Sequence, residues 1–260
     1  MAHGPNPLAV GWSVVRSLVS VRSPGPFGTE ASDHQLLRDA LHRLVSEGPS
    51  VLGQLEDELS AYLAESSTRV PDDLTRDEAL AFWINLYNAG ALILAGQTQR
   101  TGEDSVLGVL GGFRSDFIFI GGESLSLDDI EHGKLRRFGD PRIHAALVCG
   151  SVSCPTLRGM PYMGSGLNEQ LDDQLRYFLA AGGYSVDRAE RLVRLSRVFL
   201  WFGADFVRPH RMPTFLPASR SSILSSLAPW LEAELVEWIS STDPTVEFQS
   251  YDWGLRCVVR

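Results

Sequence analysis

The chain reads as an α+β fold: a helical N-terminal part followed by a mostly antiparallel sheet of short strands with helices packed on it. Three observations predict this. Up to about residue 95, apolar residues recur three and four apart behind capping residues, the period of a helix buried on one face. Beyond residue 108, short runs such as Phe117-Ile-Phe-Ile120 are bounded by glycine or acidic turns, the punctuation of hairpins. Between and after these runs the helical period returns, over 127–138, 168–179 and 221–239. With 260 residues the chain can bury one large core, so a single α+β domain is expected over 31–260, with 1–30 a peripheral or flexible segment.

Ser23-Pro-Gly-Pro-Phe-Gly28 combines φ-locked prolines with permissive glycines and reads as a linker. Ser32 with Gln35 forms a capping box for a first amphipathic helix, which carries Leu37, Leu41 and Leu44 inward as far as Gly48. His34 and His42 fall among its polar positions and are expected at the solvated surface. Leu52, Leu55, Leu59 and Leu63 carry a second helix after Pro49. Thr75 and Glu78 cap a third, Arg76 to about Ala95, which is apolar nearly all round from Ala79 onward and must therefore be central. Gly121-Gly122 turns a hairpin between Phe117–Ile120 and Ser124–Ser126, and Ser126, with Asp129 in the reciprocal position, caps a helix over Leu127–Phe138.

Ile143 to Cys149 is expected as a short strand whose period of two separates Ile143, Ala145, Leu147 and Cys149 from His144, Ala146 and Val148. Gly150 breaks it, and Ser153 caps a short helical turn through Thr156 and Leu157 with Pro155 in its first turn. Asn168–Leu179 is an amphipathic helix ended by Gly182-Gly183, and Tyr184–Val186 pairs with Arg191–Val198 as a hairpin. In the aromatic cluster Phe199 to Phe206, Trp201 and Asp205 stand one helical turn apart. Ser221–Ile239 is helical with Pro229 restarting it, and Val246–Trp253 closes the chain as a strand.

Composition narrows the partners. Lys and Arg number 23 against 32 Asp and Glu, a net charge of -9, so no nucleic acid is expected to bind, because phosphate recognition needs a clustered basic surface. No apolar run approaches the roughly 20 residues that a membrane span requires, so no span is expected. The apolar run Leu8 to Val15 has no positive residue before it and ends at Arg16, which does not suit a signal peptide. A cytoplasmic location follows as an expectation. Three cysteines, Cys149, Cys154 and Cys257, are too few for a disulfide framework, and in a reduced compartment a Cys149–Cys154 disulfide is not expected. No cofactor is expected: the glycines match no phosphate-binding fingerprint, and His132, His144, Cys149 and Cys154 match no zinc spacing.

The chemistry-bearing candidates converge on Ile143 to Pro155. Cys154, at the start of the expected helical turn, would feel the partial positive charge that favours thiolate. His144 supplies a base. Glu131, four residues from both Leu127 and Leu135, points inward and must find a cation such as Arg136 or Arg142, or act in a site. Asn85 and Asn88 share one face of the central helix and, as buried amides, either clamp a neighbouring backbone or line a pocket. His132 and Ser153 stand beside these groups, and Trp201 and Asp205 add a possible orienting acid. Cys149 falls on the apolar face and reads as a small core residue.

Phe82-Trp-Ile-Asn-Leu-Tyr-Asn-Ala89, Leu127-Asp-Asp-Ile-Glu-His-Gly133, Asp140-Pro-Arg-Ile-His-Ala-Ala-Leu147, Cys149-Gly-Ser, Ser153-Cys-Pro155, Trp201-Phe-x-x-Asp205-Phe206 and Tyr251-Asp-Trp253 together resemble the family catalogued as domain of unknown function 547, from about residue 70 onward. The resemblance implies one domain of mixed helix and sheet and no known reaction. Ala145, Val148 and Phe202 depart from its usual aromatic, asparagine and tyrosine. A metal site using His132, His144, Cys149 or Cys154 is a third reading, behind two functions that stay open. One is a cysteine-dependent hydrolase or acyl transferase with Cys154 as nucleophile, His144 as base and Glu131, Asp205 or Asn85 as the orienting third group. The other is a non-catalytic binding or scaffold domain built around a buried polar network. The partner in either case is a small molecule or peptide of unknown identity.

Overall fold

The computed structural model describes residues 11, 12, 15, 16, 18, 19, 21, 22 and 25–260 apart from 110 and 215. Most of the apolar run Leu8 to Val15 and part of the Ser23–Gly28 linker lie outside the described residues. The fold is α+β, with helices first and the strands gathered into two small sheets. It divides into two compact units, Met1–Phe138 with Leu147–Leu167 and Asp252–Arg260, and Gly139–Ala146 with Asn168–Tyr251.

The first unit is built on three helices, α1 (Gln35–Glu47), α2 (Glu56–Ser66) and α3 (Arg76–Thr101). Thr75 Oγ1 accepts the Glu78 N–H at α3's start, and Gly102, at φ 72, ends it in the left-handed conformation. Every residue from Glu78 to Gly96 is buried. By length and composition α3 could cross a membrane, but its most apolar window is wholly covered by protein. That is why its sequence shows no polar face. The turn Pro49–Gln54 and α2 pack against it. A hairpin of β1 (Ile118–Ile120) and β2 (Glu123–Leu125) turns at Gly121 and Gly122, whose φ values of 59 and 81 suit a primed turn. The capping box at Ser126 forms as expected: Ser126 Oγ accepts the Asp129 N–H at 3.1 Å and Asp129 Oδ2 accepts the Ser126 N–H at 3.1 Å. The segment behind it widens into a π turn, Asp129–Lys134, and then tightens over Leu135–Phe138.

The second unit contains α4 (Leu167–Phe178), β3 (Tyr184–Asp187), β4 (Leu192–Leu195), α5 (Arg197–Val207), α6 (Arg220–Ser226), α7 (Ala233–Thr242) and β5 (Thr245–Phe248). β3 and β4 pair antiparallel from Tyr184↔Leu195 to Asp187↔Leu192, and β5 joins β4 in parallel. Phe178, Leu195, Phe199, Phe206, Ile223 and Val246 fill the core between this sheet and the helices.

Four local expectations are corrected. Ile143–Ala146 is a helical turn, not a strand. Asp140 Oδ1 accepts the Arg142 N–H at 3.1 Å, and backbone bonds from Ile143, His144 and Ala145 back to Asp140, Pro141 and Arg142 close the turn. An apolar run this short has no period that separates the two conformations, and an Asp-Pro start favours the helical one. Residues 151–157 form no helix after Ser153. Their backbone instead pairs with 252–260, through Val152 N–H to Gly254 O at 2.9 Å and Leu157 N–H to Val258 O at 2.8 Å. Gln35 N–H is accepted by Asp33 Oδ1, at 3.0 Å, so Asp33 stands in the role expected of Ser32. His34 is buried, not solvated, whereas His42 is exposed as expected.

Candidate functional site

In the first unit the two amides of α3 are committed to backbone. Asn85 Nδ2 donates to Tyr162 O at 2.8 Å and Asn85 Oδ1 accepts Tyr162 N–H at 2.9 Å, a two-way clamp on one residue of the 147–167 segment. One turn further along the helix, Asn88 Oδ1 accepts the Val148 N–H at 3.0 Å. This buried N–H would otherwise need a strand neighbour, which is a second reason that no strand forms there. Both amides therefore do the clamping that one of the two sequence readings described.

Tyr87, between them, supplies a partner the sequence reading missed. Its hydroxyl donates to Glu131 Oε2 at 3.3 Å. Burial, followed by the like charge of Asp128, pushes the Glu131 carboxyl up to about 8, with Arg136 and the Tyr87 bond pulling the other way. At neutral pH burial keeps Glu131 largely protonated, and Arg136, one of the two expected cations, is near enough to oppose that shift. Arg142, one expected partner, instead holds Asp140 and Asp172 at 2.7 and 2.9 Å in the second unit. His132 is buried on the same π turn.

Cys154 lies in the tight turn 151–154, which Gly150 enters at φ 77. Its sulfur accepts the Cys149 N–H at 2.8 Å and faces the Leu147 carbonyl at 4.0 Å. Burial raises the thiol well above its ordinary range, the Cys149 side chain adds to the rise, and the amides of Cys149 and Gly150 oppose it. With no helix start behind it, Cys154 lacks the dipole that was expected to favour thiolate. Ser153, expected as a cap, instead accepts the Asp252 N–H on its Oγ at 2.9 Å. Cys149 is half-buried, and its thiol meets Ser151 Oγ at 2.9 Å.

The second unit holds His144 and Asp205 together. Their Nε2 and Oδ2 atoms are 2.9 Å apart in a buried pair. Asp205 Oδ1 also accepts the Thr214 N–H at 3.2 Å, which fixes the carboxylate from its other side. Phe202 stacks on the imidazole at 4.0 Å with an interplanar angle of 10°, and Gln174 donates to Ala145 O at 3.0 Å to hold the turn. The helical spacing of Trp201 and Asp205 on α5 was legible; the facing of Phe202 onto His144 was not. Trp201 lies half-exposed with its ring 4.8 Å from that of Tyr251.

A cleft of about 520 Å³ opens in the first unit between α2, the C-terminal half of α3 and β1. Leu63, Ile93, Leu94, Phe117 and Phe119 give it an apolar lining, with Gln97 and serine hydroxyls at intervals. Among the described residues that line it the charged one is Glu56, which is paired with Arg100 and also accepts from Gln97. No sequence motif pointed to it, because its lining comes from segments far apart in the chain. Among the described residues no group of three or more histidine, cysteine or acidic side chains is arranged to hold a metal.

Residues 71–179 match the family model described as "Protein of unknown function, DUF547". Five of the quoted motifs, from Phe82–Ala89 to Ser153–Pro155, fall within that match, and Trp201–Phe206 and Tyr251–Trp253 lie beyond it. No curated protein and no solved structure matches the chain.

Proposed function

We propose that this chain, whose residues 71–179 carry a DUF547 domain, is a binding domain that takes a small, uncharged, largely apolar molecule in the cleft beside α3. The cleft carries the proposal: its volume of about 520 Å³ is within the range of small-molecule sites, and its lining is apolar with a few polar groups. The ion pair of Glu56 with Arg100 leaves no unmatched charge on the lining to recruit an ionic ligand. On this reading the motif residues of the domain hold the backbone: Asn85 and Asn88 are taken up by Tyr162 and Val148.

The second reading, a cysteine-dependent hydrolase or acyl transferase, is favoured by one observation, the backbone amides directed at the Cys154 sulfur, which would stabilise a thiolate once formed. One set of measurements separates the two. A fragment library screened by ligand-observed NMR should yield neutral apolar binders that compete with one another and lose affinity in Phe117→Ala and Gln97→Ala. Alkylation followed against pH should leave Cys154 no faster near neutral pH than Cys257, whose thiol burial pushes up to about 12. Binders that ignore both substitutions would overturn the cleft reading. Rapid neutral-pH alkylation of Cys154, with ester turnover lost in Cys154→Ser, would establish the second.

A further inference from the structure

We infer that Cys149 and Cys154 are a modification site, a dithiol that closes to an intramolecular disulfide when the protein meets a peroxide. The two residues are five positions apart, and the turn between them folds back far enough for the Cys149 N–H to reach the Cys154 sulfur at 2.8 Å. Gly150 fixes that turn: it adopts φ 77, and a Cβ there would stand 3.1 Å from the Ala95 Cβ. The two thiols also interact side chain to side chain, which contributes to the raised pKa of Cys154. Closure brings the two sulfurs to an S–S separation of roughly 2.0 Å, with the turn between them already folded back. Cys149 is half-buried, whereas Cys257 is buried, so a small oxidant reaches the Cys149 thiol more readily than the third thiol, and Cys149 is the one that reacts first, with Cys154 closing the link.

The chemistry balances with hydrogen peroxide as the oxidant. One thiol, after giving up its proton, attacks a peroxide oxygen; the O–O bond breaks, a sulfenic acid forms and one water leaves. The second sulfur then attacks the sulfenic sulfur, the S–O bond breaks and a second water leaves, so that two thiols and one peroxide become one disulfide and two waters. The turn that would be locked is the one that receives residues 252–260: Val152 N–H donates to Gly254 O at 2.9 Å and Arg256 N–H to Gly150 O at 2.7 Å. Oxidation therefore acts on the backbone pairing of that segment, not on the cleft, whose lining includes neither cysteine.

The test treats the full chain with hydrogen peroxide, denatures it under acid, alkylates and maps peptides by mass. Expected is the joint loss of Cys149 and Cys154 alkylation with the loss of two hydrogens from the linked peptides, Cys257 remaining alkylated and dithiothreitol restoring both sites. Cys257→Ser should leave the link unchanged. Cys149→Ser and Cys154→Ser should each abolish it, and Cys154→Ser should leave Cys149 as a sulfenic acid that a cyclic diketone traps. Continued alkylation of both residues after peroxide, a link only between separate chains, or over-oxidation of one residue with its partner intact would each overturn the inference. None of these results depends on whether the cleft binds a ligand.

Discussion

His34 stands with its Nδ1 2.8 Å from the Tyr62 hydroxyl, its ring 6.4 Å from that of Phe82, and its Nε2 buried without a partner among the described residues. Burial, more than the nearby Arg69 and Arg38, lowers its pKa from 6.5 to about 4. A base whose folded pKa is depressed is bound by more protons when unfolded, so its effect on stability is absent above about pH 6.5 and grows as the pH falls towards 4. The predicted loss is roughly 3 kcal/mol across that window, read as the pH dependence of urea midpoints for the native chain against His34→Gln. Equal pH dependence in the two would refute the assignment. The sequence placed this histidine on a polar face because its neighbours Asp33 and Gln35 are polar; nothing local reveals that Tyr62 and Phe82 close over it. Asn85 and Asn88 were more legible, since a buried amide must be satisfied wherever it falls, but their partners Tyr162 and Val148 lie 77 and 60 positions away.

The element that organises the first unit is α3, and its glycines report how closely other segments approach it. At Gly90 an added Cβ would meet side-chain tips, Leu127 Cδ2 at 2.9 Å and Ile118 Cδ1 at 3.0 Å. At Gly96 it would meet the Leu52 carbonyl oxygen at 2.8 Å, backbone that cannot rotate away. Alanine should favour an interior helix position by about 0.8–1.0 kcal/mol, while overpacking costs about 1–3 kcal/mol. Gly96→Ala is therefore expected to lower the thermal midpoint and Gly90→Ala to lower it less; calorimetry that ranks them the other way would remove the close approach of the 49–54 turn as the cause. Of the elements, those with caps and a long period were legible: α3, α4 and the Gly121-Gly122 hairpin. The 143–157 stretch was not, because four residues of helical turn and seven of alternating apolar strand look alike, and because its partners, Asn88 and residues 252–260, come from far along the chain.

Across the whole molecule, 32 acidic residues against 23 basic ones set a charge of -9 at neutral pH. With a sequence pI near 5.1, mutual repulsion between chains vanishes as the carboxylates protonate, so solubility should pass through a minimum near that pH and rise again above it. A turbidity series across pH with its maximum well away from this value would show that the exposed charges do not follow the composition. The α+β class, the central burial of α3, the hairpin turn and the family resemblance were determined by the sequence alone, because each rests on local chemistry: periodicity, caps, permissive glycines and contiguous motifs. Which groups face one another was decided only by the tertiary structure. The pairing of His144 with Asp205, the protonated Glu131 under Tyr87 and the cleft beside α3 all join residues from separate segments, and burial, which no single segment specifies, sets the protonation of Glu131, Cys154 and His34.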